Sequence, residues 1–199
     1  ELDNNLNLPF EKTFVYFGRI HPIKNLNLII NSFVESELDK KGWKLDIYGI
    51  KDDDEYFLNI KKLIYNNNKI SIKEPIFGKE KQDIMSKSWC NILLSKSEVL
   101  SLSLIESSAL GLPTIYPKEL DTGDYKVSTF PVNKDKNAIS EKFIEISKIL
   151  NEERKDIQEK IYENFLKIQN KSKNIFIETF IDFYNKSKTD KSAKSLFEY

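Results

Sequence analysis

The strongest constraint on this chain is an alternation. Short apolar, β-branched runs take turns with segments whose apolar residues recur at helical spacing. Residues 13–18 (TFVYFG) and 43–49 (WKLDIYG) each read as a strand closed by a glycine. Residues 70–74, 90–94 and 113–117 read as three shorter strands, and 125–132 as a sixth. Between them, 24–38 carries Leu26, Ile29, Ile30, Phe33, Val34 and Leu38 on one helical face, and 53–66 carries Phe57, Ile60, Leu63 and Ile64. Further helices are expected at 79–88 and 102–110, the latter ended by Gly111 and Pro113. After residue 132 the chain becomes helical, with segments at 136–150, 152–169 and 173–186. Strands alternating with helices of this length call for βαβ units. The predicted fold is therefore an α/β doubly wound parallel sheet, Rossmann-like, with helices on both faces. In such a sheet ligands bind beyond the carboxyl ends of the strands.

Bulk properties narrow the function. The chain has 199 residues with 31 basic and 31 acidic side chains, so a nucleic-acid partner is not expected. One cysteine, Cys90, excludes a disulfide framework and a cysteine-based zinc cluster within the chain. No run of 18 apolar residues exists, and the chain starts at Glu1 without a signal-peptide pattern in its own residues. A reducing, cytoplasmic compartment is the easier fit. The chain begins without methionine, which fits a piece excised from a longer protein. Residues 1–199 read as one domain, with C-terminal helices over 136–186 and a polar tail at 187–199.

Two loops at the expected ligand edge carry the chemistry. The first follows strand one and reads Gly18, Arg19, Ile20, His21, Pro22, Ile23, Lys24. Only Arg19 and Arg154 are arginines in a chain that otherwise uses lysine. An arginine directly after a strand-end glycine offers a bidentate fork to phosphate oxygens, with Lys24 as a second cation at the start of a helix. An ordinary solvated loop is the alternative. His21 either touches a ligand or sits beside Pro22 at a helix start. No G-x-G-x-x-G and no Walker lysine motif follows the strand, which disfavours a classical NAD or P-loop site.

The second loop runs from Ser95 to Glu106. Glu98 lies in the loop, and Glu106 lies eight residues later in the following helix. Ser101 and Ser103 are candidate helix caps, and the N–H groups near Leu102 to Leu104 form an anion nest. A carboxylate in the first turns of that helix can accept hydrogen bonds from a ribose diol. Glu106 can equally be a surface residue stabilising the helix start.

Together these residues resemble the C-terminal, donor-binding domain of the GT-B glycosyltransferases, of the retaining glycosyltransferase family 4 type. The resemblance lies in FVYFGRIHPIKNLNLIINSF with Gly18, Arg19 and Lys24, in LDIYG with Gly49, and in Glu98-x7-Glu106 followed by Ala109, Gly111 and Pro113. It spans residues 13 to 117 in order. It implies that Arg19 and Lys24 bind the donor diphosphate and stabilise the leaving nucleoside diphosphate. Glu106 would hold the ribose, Glu98 would lie near the donor sugar, and Ser101, Leu102 and Ser103 would line the phosphate site. Gly49 would border the base. The donor would be a UDP- or GDP-sugar, with no cofactor and no metal. Three positions depart from the pattern: Leu100 and Ser101 stand where the family often has Phe-Gly, and Ser107 follows Glu106 in place of alanine.

The resemblance also implies an N-terminal acceptor-binding domain that 199 residues do not contain, supplied by the same protein or by a separate subunit. Through that part, peripheral association with the inner face of a membrane is expected. The acceptor would be a glycan, capsule or lipopolysaccharide. The aromatic stripe Phe176, Phe180 and Phe183 would either pack on this domain's core or face the missing domain. Two other classes stand beside the enzyme: a non-catalytic nucleotide-sugar-binding module, and an interaction domain that keeps the fold without the chemistry.

Overall fold

The computed structural model describes residues 10–97, 101–120 and 122–189, with side chains described up to 179 and at 181. Among the described residues, six strands form one sheet: β1 (Glu11–Phe17), β2 (Lys44–Tyr48), β3 (Ile70–Lys73), β4 (Ser88–Ile92), β5 (Thr114–Pro117) and β6 (Thr129–Val132). Their order is β3-β2-β1-β4-β5-β6, and every neighbouring pair is parallel. The expected Rossmann-like sheet is present. The order reverses between β1 and β4, where such sheets open a crevice for ligands.

Among the described residues, four α-helices join strands, α1 (Leu26–Glu35), α2 (Asp54–Ile64), α3 (Gly78–Lys87) and α4 (Leu102–Ala109), and two follow the last strand, α5 (Lys136–Ser147) and α6 (Asn151–Thr189). Alternation along β1 assigns them to faces. Phe14 and Tyr16 point into the larger core with Ile29, Ile30 and Phe33 of α1 and Ile139, Phe143 and Ile146 of α5. Val15 and Phe17 point the other way, to Met85 of α3 and to Leu112. Full burial of each such side chain contributes about 1.5–3 kcal/mol, which offsets the ordering of short strands.

Three elements differ from expectation. β4 begins at Ser88 rather than 90, because α3 ends there and the Ser88 hydroxyl donates to the carbonyl of Ile84. The sixth strand starts at Thr129, since Gly123–Ser128 winds into a 3-10 turn. The two final helices are one: the polar residues 170–173 hold no glycine or proline, so nothing there interrupts the ladder. α6 is anchored by Arg154, 1% exposed, which donates from Nε to the Trp89 carbonyl at 2.8 Å and stacks on Phe10 at 4.4 Å. Among the described residues no helix is long and apolar enough to cross a membrane.

Cys90 lies fully buried on β4, and burial pushes its thiol up from 9.0 to about 12. Its folded value exceeds its unfolded one. The associated stability is therefore complete below pH 9 and lost as pH rises toward 12. Urea unfolding at pH 8 and pH 10 is expected to show a loss of about 1 kcal/mol between them, and Cys90→Ala should remove most of that loss.

Candidate functional site

A cleft of about 380 Å³ opens at the carboxyl ends of the strands beside the switch between β1 and β4. Gly18, Arg19, Lys24, Gly49, Ser101, Leu102, Ser103 and Glu106 all border it. Eight of the nine residues expected at the site thus meet in one place. The ninth, Glu98, lies outside the described residues.

The first wall forms where the ends of β1 and β2 stay zipped beyond their glycines. Gly18 N–H donates to the Tyr48 carbonyl at 3.1 Å, and Ile20 N–H donates to that of Ile50 at 2.8 Å. Gly49 is needed for this approach, since a Cβ there would come within 2.4 Å of the Gly18 carbonyl oxygen. Tyr16 donates its hydroxyl to the Arg19 carbonyl at 2.8 Å and pins the turn from below. The guanidinium of Arg19 is 58% exposed and donates to Asp52 Oδ2 at 2.9 Å. Asp52 was not expected at the site. It holds the arginine at the rim, where an anion can compete for the same donors.

His21 is the cap of the short turn Pro22–Lys24: its Nδ1 accepts from the N–H of Ile23 at 3.2 Å. This matches the helix-start alternative. Lys24 closes that turn, and α1 begins two residues later. A backbone hydrogen bond from Lys96 to the Ile23 carbonyl, 2.8 Å, ties the loop after β4 to the loop after β1.

The second wall is the start of α4. Ser101 is its N-cap, with a side chain that accepts from the N–H of Leu104. The amides of Leu102 and Ser103 open the helix, where the ladder supplies donors with no acceptor. Ser103 is not a second cap. It lies inside the helix, beside Asn91 of β4. Asn91 is fully buried and donates from Nδ2 to Ser107 Oγ at 2.9 Å, fixing α4 against the sheet. Glu106 is 48% exposed and accepts from Lys81 of α3 at 2.6 Å.

Lys81 is the second residue missed by sequence reasoning. Its ammonium also sits 5.2 Å above the ring of Phe17. Phe17 and Tyr48 stack at 5.1 Å and line the cleft floor at the ends of β1 and β2. Among the described residues no group of three or more His, Cys, Asp or Glu could hold a metal ion.

This geometry can be set beside known proteins. A profile of the family described as "Glycosyl transferases group 1" matches residues 3–164, most of the chain. The chain belongs to that family. No curated protein matches it significantly. Solved structures share the fold. A Staphylococcus aureus TarM variant, in complex with fondaparinux, α-GlcNAc-glycerol and UDP, superposes with a TM-score of 0.70 at 19% identity, over 88% of this chain and 36% of that one. The pneumococcal O-GlcNAc transferase GtfA, in complex with UDP and GlcNAc, gives 0.62 at 19% identity, over 86% and 36%. A glycosyltransferase from Rickettsia africae gives 0.69 at 21% identity, over 90% and 48%. This group 1 chain therefore spans between about a third and a half of the length of these three structures. It is a glycosyltransferase domain whose parallel sheet corresponds to one half of a GT-B fold.

Proposed function

We propose that this chain is the donor-binding half of a retaining glycosyltransferase that moves a sugar from UDP or GDP to a glycan, capsule or lipopolysaccharide acceptor. The observation that carries the reading is the convergence of Arg19, Lys24 and the start of α4 on one cleft at the switch point of the sheet. A diphosphate placed there meets two cations and a helix N-terminus, the arrangement that stabilises charge on a departing nucleoside diphosphate. Glu106 would accept from the ribose, Gly49 would let the base approach backbone, and Glu98 would act at the sugar. Two of the structures sharing the fold were solved with UDP, which favours a nucleotide donor.

The acceptor site would belong to a further domain, in the same protein or in a partner subunit, and the 199 residues alone would bind donor without transferring it. The distal part of α6 supports this division. Phe176 is 70% exposed and Ile175 53%, so these two residues do not cover the sheet's own core, while the side chains of Phe180 and Phe183 lie outside the described residues. They form the apolar surface that the further domain would cover. That protein would work in the cytoplasm, at the inner membrane face if its acceptor is lipid-linked.

The test uses the full-length protein and a panel of nucleotide-sugars. Transfer with the donor's anomeric configuration kept, and a loss of at least about a hundredfold in kcat on Glu98→Ala, is expected. Donor binding without transfer would instead identify a non-catalytic module. No binding at all would leave an interaction domain.

A further inference from the structure

We infer that Lys81 is a positioning residue that sets the carboxylate of Glu106 for a ribose diol, an inference that rests on the nucleotide reading above. The argument starts from how differently the two partners are held. Lys81 leaves α3 with its side chain only 18% exposed, between the Phe17 ring and Glu106. Phe17 is itself 5% exposed and stacked on Tyr48, so the ammonium rests on a rigid floor. Glu106 is 48% exposed, so its long side chain keeps more rotamer freedom than its partner. The fixed partner therefore orients the mobile one.

The surroundings show where Glu106 would otherwise go. A second hollow of about 190 Å³ lies beside the cleft, lined by Gly78, Gln82, Met85, Ala109 and Leu110. Lys81 and Glu106 border both spaces, so their ion pair is the wall between them. Without the lysine, the carboxylate gains a second direction, away from the cleft.

The chemistry of the pair suits a vicinal diol. A carboxylate offers two oxygens and about four acceptor positions. Lys81 occupies Oε2 at 2.6 Å and leaves Oε1 to accept from hydroxyls in the cleft. Phosphates are not involved in this step, because the lysine acts through Glu106. The effect of Lys81 should therefore depend on the ribose hydroxyls of the ligand.

Calorimetric titration of the 199-residue chain with UDP, GDP and their 2′,3′-dideoxy analogues tests this. Lys81→Met is expected to weaken the ribonucleotide by about tenfold and to leave the dideoxy analogue within about twofold. Lys81→Arg should restore most of the loss, and Lys81→Met should add nothing in a Glu106→Gln background. Far-UV circular dichroism and urea midpoints of each variant confirm that the chain is folded. An equal loss for both ligands, an undiminished effect in the Glu106→Gln background, or no effect on a ribonucleotide that the parent chain binds, would overturn the inference alone. If the parent chain bound neither UDP nor GDP, the nucleotide reading of the cleft would fall, and this inference with it.

Discussion

Arg19→Ala is expected to weaken binding of UDP or GDP by about 10- to 100-fold and to leave the matching nucleoside within about twofold. The asymmetry follows from the position of the side chain. Arg19 is exposed at the cleft rim, and its ion pair with Asp52 at 2.9 Å is a surface pair that contributes little to folding. A diphosphate, by contrast, would present a double charge to the guanidinium fork and gain charge-assisted hydrogen bonds worth about 1.5–3 kcal/mol. The pinned backbone matters as much as the charge. Tyr16 and the zipped ends of β1 and β2 hold the arginine's own carbonyl and neighbours in place, so little ordering remains to be done on binding. Arg19→Lys keeps the charge and loses the fork, and should recover only part of the affinity. Calorimetry at low and high salt reads both effects, and the mutant should show the shallower salt dependence. A loss shared equally by nucleoside and nucleoside diphosphate would mean that Arg19 does not meet phosphate.

Gly111→Ala should be strongly destabilising, at about 3 kcal/mol or more. Two costs add. Gly111 has a φ of +66°, a conformation that costs an L-residue about 1–2 kcal/mol. Its missing Cβ would also sit 2.5 Å from the Gln158 carbonyl oxygen and 2.4 Å from Gln158 Cγ. Backbone cannot swing aside as a side-chain tip can, so α4 and α6 would have to separate. Gln158 also donates from Nε2 to the carbonyl of Leu110 at 3.2 Å, a bond that the same displacement would break. Gly42 provides the control. Its φ is +83° but nothing lies within 4 Å of its Cβ position, so Gly42→Ala should cost only about 1 kcal/mol. For a chain of this size the pair should differ by roughly 4–8 °C in Tm. Equal melting temperatures would show that the α4–α6 contact yields easily, and with it the α4 wall of the cleft.

Much of the fold was legible because its signals are local. The buried run of β1, the glycines at 18 and 49, and the capping serine at 101 each act within a few residues of themselves. A strand that ends in glycine beside another such strand also implies close backbone contact, and Gly49 against Gly18 is that contact. Ser103 shows the limit of the same logic. Two serines two residues apart offer equivalent caps in sequence, and only the buried Asn91 beneath α4 decides between them. The long α6 was hidden for a related reason. Its segment 170–173 is polar on every side, so periodicity lapses although nothing breaks the helix.

Lys81 and Asp52 were invisible for a different reason. Each is one member of a large set of ordinary charged residues, and each finds its partner across a gap of 25 or 33 positions. Chain topology alone brings them to the cleft: α3 delivers Lys81 beside α4, and the loop after β2 delivers Asp52 beside the loop after β1. One signal did exist. Pro75 to Gly78 follows β3 at the same sheet edge as Gly18 and Gly49, so the helix it starts was bound to border the site.

The central claim is that this cleft receives a nucleoside diphosphate, and its most direct test is the titration of ¹⁵N-labelled chain with UDP and GDP. The expected result is saturable shifts of the amides of Gly18, Arg19, Gly49, Leu102 and Ser103 with one of the two ligands, reduced in Arg19→Ala. Absence of saturable shifts at about millimolar ligand, or saturable shifts confined to residues far from the carboxyl ends of β1, β2 and β4, would contradict it.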